Sequence, residues 1–383
     1  MSLVIRNHTG RARASEVNRM AKILDAGGVI IAPTDTVYGL VGKAFDHRAF
    51  ARLDSIKGER TQPYALVFPS VHSLEAWYGP IDPFRSRVLR ALLPGPVTVI
   101  LPSKPGLVSD FRYSGAGYAI RLCSDSLYSD LALNLDSPLW ASSANRGGEK
   151  PPVSLNDIPE SLLRDVDLAY DSGSTVFRDS STVADIREFP FAITRYGPWS
   201  DRVQNVLRSA QEPLRVLVIC TGNICRSPIF AGLMQHQLGC SLLSGVQVTS
   251  AGTNADPGLP PTAEMVQIAA EWGINISQHR SQQVTVDLVK TTDLILVSEP
   301  RHREIILMLD PSLGNRIRLA GETTDLDSIP DPYSESVETY RTVAAIIRRA
   351  AGGWVEELKR TIAESGWKVS VEPAPTTDSL APR

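Results

Sequence analysis

The chain has 383 residues, 43% of them hydrophobic and 21% charged, with a formal net charge of -3. That length suits two or three domains with ordinary buried cores. The near-neutral balance argues against a protein that coats nucleic acid or a membrane surface, and no apolar run reaches the length of a membrane span.

In chain order, Ser15 to Ala26 places Val17, Met20, Ile23 and Leu24 on one helical face. Gly27 and Gly28 stop that helix before an apolar strand beginning at Val29. The strand runs into a hydroxyl-rich loop with Pro33, Thr34, Asp35, Thr36, Val37, Tyr38, Gly39 and Leu40. Downstream come Lys57 and Arg60, the Pro94-to-Thr98 turn, Arg121 at a strand end, and Ser142, Ser143, Ala144 and Asn145. Ser181 to Asp185 and Ile193 to Arg195 follow. Taken singly, each of these reads as a turn, a cap or a solvated charge. Arg202 to Ala210 reads as a short helix or linker before a fresh strand at Leu214.

In the second half, strands near 214–219, 246–249, 293–298 and 316–319 alternate with helical patterns near 229–238, 261–272, 301–309 and 335–363. Such alternation predicts an α/β fold with a parallel, doubly wound sheet. The strand at 216–219 ends in Cys220, followed by Thr221, Gly222, Asn223, Ile224, Cys225, Arg226, Ser227 and Pro228. A short loop leaving a strand and entering a helix aims its N–H groups inward and forms an anion cradle. Ser227 suits the N-cap and Pro228 the first position of an amphipathic helix starting near Ile229. A cysteine in that positive field favours its reactive thiolate. Arg226 can grip two phosphoryl oxygens with its planar fork. Four irregularly spaced cysteines, and a start without a signal-peptide core, lead us to expect a reducing, cytoplasmic setting with no zinc site and no membrane partner.

From Cys220 onward the chain resembles the low-molecular-weight protein tyrosine phosphatases, over about its last 155 residues. The segment Ile329, Pro330, Asp331, Pro332, Tyr333 looks like that family's Asp-Pro-Tyr loop. The resemblance implies Cys220 as nucleophile, Arg226 as phosphate ligand and Asp331 as general acid, with no cofactor. It also implies that Ser227 hydrogen-bonds the thiolate and that Asn223, Ser250, His279 and Tyr333 support the loop.

The first-half segments, in their order, resemble the YrdC/Sua5 family of threonylcarbamoyl-AMP synthases, over roughly residues 5 to 205. That resemblance implies a mixed sheet with helices, and synthesis of threonylcarbamoyl-AMP from L-threonine, bicarbonate or CO2, and ATP. The product would feed threonylcarbamoyladenosine formation in tRNA, in partnership with the modification proteins that use it. Lys57, Arg60, Arg121 and Arg195 would supply cations, and Thr34, Thr36, Tyr38, Thr98, Ser143, Asn145 and Ser181 neutral partners. Mg2+ would come with the ATP. The family's Lys-x-Arg spacing is stretched here by one residue, Glu59, and Cys123 stands where proline is expected.

The expected layout is a synthase-like domain over 1–205, a linker over 206–213, a phosphatase domain over 214–365 and a disordered tail over 366–383. The competing readings are a non-catalytic nucleotide- or RNA-binding module in the first half, and a phosphoarginine phosphatase or arsenate reductase in the second.

Overall fold

In the computed structural model, residues 3–8, 11–58, 64–104, 107, 117–240 and 245–367 are described. Contacts divide the chain into two units, Met1–Gln211 and Glu212–Arg383.

The first unit is built on strands β1 (Leu3–Arg6), β2 (Ile30–Pro33), β3 (Tyr38–Lys43), β4 (Ala65–Val67), β5 (Val97–Pro102), β6 (Gly117–Arg121), β7 (Leu139–Ser143), β8 (Leu168–Asp171), β9 (Thr182–Asp185) and β10 (Ala192–Arg195). They form one mixed sheet in the order β1-β8-β2-β3-β7-β4-β6-β5-β9-β10. β2 and β3 pair antiparallel, so the hydroxyl-rich segment between them is a tight connection. Helix Ala14–Asp25 buries Val17, Met20, Ala21 and Leu24, the i, i+3, i+4, i+7 stripe that its sequence shows, against helix Ser126–Leu135 and the sheet. Residues 206–209, expected in the linker, are instead the last turn of helix Ser200–Ser209. Leu207 and Ala210 are buried, so the apolar positions of this segment hold it to the first unit.

The second unit has a parallel sheet of β11 (Leu214–Cys220), β12 (Val246–Gly252), β13 (Leu294–Val297) and β14 (Ile317–Leu319), in the order β12-β11-β13-β14. Val216 to Ile219 are buried on both faces of the sheet, which is why that strand reads as an unbroken apolar run. Leu217 and Ile219 pack with Val289, Ile295, Val297 and Ile306 on one side. Helix Arg226–Cys240 packs on β11 and β12 and along the long helix Val337–Ser365.

Two local expectations are corrected. The helix after Cys220 starts at Arg226, so Ser227 and Pro228 lie inside its first turn and Ser227 is not the N-cap. The expected apolar face is present, with Ile229, Phe230, Leu233, Met234 and Leu238 buried and Gln235 and His236 exposed. Gly366 and Trp367, expected in a disordered tail, are ordered. Trp367 is buried over Gly245, where a Cβ would lie 2.0 Å from its ring. The rest of that tail lies outside the described residues.

Candidate active site

β11 carries Cys220 to the carboxyl edge of the parallel sheet. The chain leaves β11 for β12 on one side and later crosses to β13 on the other, so a crevice opens at this strand end. The loop turns through Asn223, whose φ of 56° is left-handed. A residue with a side chain holds that conformation only where its surroundings fix it. Here Asn223 Nδ2 donates to Ser227 Oγ and Ser250 Oγ, both at 2.9 Å, and its Oδ1 accepts from the Gln282 N–H at 2.9 Å. His279 Nε2 donates to the Asn223 carbonyl at 2.9 Å. Burial lowers the basicity of that imidazole, which keeps it a neutral donor.

The loop carbonyls are also tied from outside. Thr253 N–H donates to Cys220 O, Asn254 N–H to Thr221 O, and Thr262 N–H to Ile224 O. With those carbonyls committed, the peptide N–H groups are left for the concave side. Gly252 lets β12 approach this closely, since a Cβ there would sit 2.3 Å from the Thr221 carbonyl oxygen.

Cys220 Sγ receives two contacts suited to a thiolate, Ser227 Oγ at 3.1 Å and the Asn223 N–H at 3.3 Å. Arg226, only 1% exposed, donates from Nη2 to Asp331 Oδ2 at 2.6 Å and to Thr221 Oγ1 at 3.3 Å. Its Nη1 donates to Glu299 Oε1 at 2.6 Å and to the Ile329 carbonyl at 3.0 Å. Asp331 Oδ1 also accepts from the Tyr333 N–H at 3.3 Å, which fixes the carboxylate over the loop. Cys220, Thr221, Gly222, Ile224, Cys225, Arg226, Asp331 and Tyr333 together line a cleft of about 180 Å³. Cys225 is buried beside Thr262 and Tyr340, and burial pushes its thiol up to about 11.

Three residues of this site were not foreseen. Glu299 holds the inner side of Arg226. Arg301 Nη2 donates to Glu299 Oε1 at 2.9 Å and to Thr221 Oγ1 at 3.2 Å. His302, buried and pushed down to about 4 chiefly by that burial, is neutral and meets Thr221 Oγ1 through Nε2 at 3.0 Å. The available signal was positional: Glu299 follows the apolar strand β13, next to β11, at the same sheet edge.

In the first unit the candidate residues fall into separate groups. Thr98 Oγ1 and Ser181 Oγ lie 2.7 Å apart, and Arg195 donates to Ser181 Oγ at 2.9 Å and to the Ser181 carbonyl at 3.0 Å. Arg195 is exposed as a residue, but its guanidinium is shielded. That shielding first, and the charge of nearby Arg121 second, disfavour its protonated form. Lys57 Nζ donates to the carbonyls of Ser143 (2.7 Å) and Asn145, tying the helix end to that loop. Asn145 Nδ2 is used by the Arg146 and Glu149 carbonyls. Arg60 lies outside the described residues.

Four expected ligand donors are held by the framework. Thr34 and Thr36 hydroxyls meet each other at 2.8 Å, and Thr34 also donates to the Val37 carbonyl. Arg121 donates to Thr36 Oγ1 at 2.9 Å and pairs with Asp35 at 2.5 Å, both deeply buried. The Tyr38 hydroxyl donates to the Gly173 carbonyl at 2.6 Å. Hydroxyls in a tight buried turn satisfy one another before they face a groove.

Residues 22–197 match the Sua5/YciO/YrdC family model, described as telomere recombination, and residues 215–364 match the model of the low molecular weight phosphotyrosine protein phosphatases. The protein named "Probable low molecular weight protein-tyrosine-phosphatase EpsP" from Ralstonia solanacearum is 38% identical over 144 residues, which are 38% of this chain and 95% of that one. The low molecular weight protein-tyrosine-phosphatase Etp of Escherichia coli K12 is 33% identical over 145 residues, again 38% of this chain and 95% of that one. The solved structure of Vibrio vulnificus Wzb in complex with benzylphosphonate is 34% identical, covers 38% of this chain and 98% of its own, and has a TM-score of 0.35.

Proposed function

Since the chain belongs through its second half to the low-molecular-weight phosphotyrosine protein phosphatases, and carries a Sua5/YciO/YrdC domain in its first, we propose a bifunctional enzyme. Its phosphatase site acts on phosphotyrosine in proteins, and its first unit makes threonylcarbamoyl-AMP. The observation that supports the phosphatase most is the stacking of Cys220 Sγ, its two donors, Arg226 and Asp331 in one small cleft.

In the first step Cys220 Sγ attacks phosphorus in line, forming an S–P bond as the P–O bond to the leaving group breaks. Asp331 gives its proton to the departing oxygen. In the second step Asp331 takes a proton from water, whose oxygen displaces sulfur and releases inorganic phosphate. Arg226 and the loop N–H groups hold the equatorial oxygens throughout. Asp331→Asn should therefore slow turnover by about 10²-fold or more for an alkyl-like leaving group and far less for an activated aryl phosphate. A leaving-group series measured at constant pH checks this, and equal losses across it would remove Asp331 from the acid role.

Ile224 and Tyr333 line the cleft with apolar and aromatic surface, which suits a phenyl ring better than a guanidino group. Parallel assays on phosphotyrosine and phosphoarginine peptides decide between them. Arsenate reduction would need a relay of thiols. Cys225 is buried beside Tyr340, and the polar neighbour of exposed Cys240 among the described residues is His236, so the geometry favours hydrolysis.

For the first unit, the support is the meeting of Thr98, Ser181 and Arg195 beside the charge of Arg121. Two nearby guanidiniums, Arg121 paired with Asp35 and Arg195 without an ion pair among the described residues, suit a polyanion such as ATP with Mg2+ on its phosphates. The rate would come from positioning ATP, threonine and bicarbonate together. Arg195→Ala should weaken ATP binding by roughly ten- to hundredfold, the loss of a charge-assisted hydrogen bond. Calorimetric titration with ATP, alongside pyrophosphate release in the presence of threonine and bicarbonate, tests it. Binding without pyrophosphate release would favour a plain nucleotide-binding module.

A further inference from the structure

Arg301 sits one side chain outside the phosphate cleft and takes no part in the mechanism above. It is the second residue of helix Pro300–Leu309, and its side chain is 58% exposed. Exposed arginines usually sample many rotamers, but this one is fastened. Its Nη2 donates both to Glu299 Oε1, at 2.9 Å, and to Thr221 Oγ1, at 3.2 Å. Those are the same two oxygens that Arg226 uses. The two guanidiniums are thus neighbours, and the wall residue Thr221 stands between them. Nη2 is thus committed, while among the described residues Nε–H and Nη1 of Arg301 make no hydrogen bond and remain as single donors on either side of it.

The charge count at this rim is uneven. Arg226 and Arg301 share one carboxylate, Glu299. The second carboxylate, Asp331, must carry a proton to act as the acid of the first step, so it is then uncharged. Arg301 then depends on a carboxylate that Arg226 also holds, and its Nε–H and Nη1 are left without an anion. A guanidinium already fixed in place loses little freedom when it binds, and each remaining N–H can give a charge-assisted bond to a carboxylate or phosphate oxygen.

From this we propose that Arg301 is a specificity-determining residue, selecting phosphorylated peptides that carry a second anionic group beside the phosphorylated side chain. The inference rests on the phosphatase reading of the Cys220 site. The second anion is either the carboxylate of Asp or Glu or a further phosphate, and the shared chemistry is an oxyanion that accepts a charge-assisted N–H bond.

The test compares three phosphotyrosine peptides of one length, on the full chain at low ionic strength. They carry glutamine, glutamate or a second phosphorylated residue at the neighbouring position, and the readout is the ratio of kcat/KM values within each enzyme variant. The native chain should prefer both anionic peptides over the glutamine peptide by roughly tenfold, with the preference shrinking as salt is added. Whichever anionic peptide shows the larger ratio identifies the source. Arg301→Gln should bring both ratios to about one, Arg301→Lys should keep part of the preference, and Arg301→Glu should reverse it. Because each ratio is internal to a variant, a general loss of activity does not obscure it. A ratio near one in the native chain, or one that survives Arg301→Gln, overturns the proposal. Absence of phosphate release from every peptide and from p-nitrophenyl phosphate would instead end the phosphatase reading, and this proposal with it.

Discussion

Cys220→Ser is expected to end phosphatase turnover while the cleft goes on binding oxyanions. The serine hydroxyl is not ionised by the fields that favour a thiolate, so the attack on phosphorus loses its nucleophile. Loss of kcat should be roughly 10⁴-fold or more, the scale on which removal of a nucleophile acts. The cradle does not depend on the sulfur. Asn223 is held by Ser227, Ser250, Gln282 and His279, and Arg226 by Glu299, Asp331 and the Ile329 carbonyl. Inorganic phosphate should therefore bind the variant within about threefold of the native affinity, since no charge-assisted bond from Arg226 is lost. Single-turnover kinetics and a phosphate titration measure both halves. Turnover above about one per cent of native would place the nucleophile elsewhere.

The parts of this molecule that could be read from its sequence are those with a local cause. β11 declares itself because it is buried on both faces and shows as an apolar run, and Cys220 because it ends that run before a loop with Gly222 and Asn223. The alternation of strands and helices after Leu214 is equally local, and it gives the parallel sheet. What escaped has causes distant in the chain. Glu299 meets Arg226 across 73 positions, and neither residue announces the other. His302 and Arg301 gain their meaning only because β13 lies beside β11. In the first unit the hydroxyls of Thr34, Thr36 and Tyr38 could be listed from sequence. Whether they face a ligand or satisfy one another depends on the tight turn between β2 and β3 and on the contact with Arg121 from β6. Composition gives the inventory of donors and leaves their direction to tertiary packing.

Arg226→Ala should damage both catalysis and stability, and the two effects can be pulled apart. Removing the guanidinium takes away the bidentate grip on the phosphoryl oxygens, so kcat/KM should fall by roughly 10³-fold or more. It also strands Glu299, whose side chain is only 19% exposed. Burial alone would raise that carboxyl, but hydrogen bonds from Arg301 and Arg226 outweigh it and hold the carboxyl below the usual glutamate range. A group depressed in this way stabilises the fold above its ordinary range and loses that contribution as the pH falls through the depressed value. Without Arg226 most of the support is gone, although Arg301 remains. A cost near the lower end of the 3–5 kcal/mol typical of a broken buried pair, about 3 kcal/mol, is expected at neutral pH. Glu299→Gln introduced into the same background removes the stranded charge. The double variant should recover stability over Arg226→Ala alone, yet stay as inactive, because nothing replaces the phosphate ligand. Calorimetry on the full chain can follow this through the unfolding transition that inorganic phosphate shifts in the native protein, which marks the second unit. If the double variant is no more stable than Arg226→Ala, the charge that Arg226 neutralises is not that of Glu299, and the inner ion pair has no part in holding the cradle together.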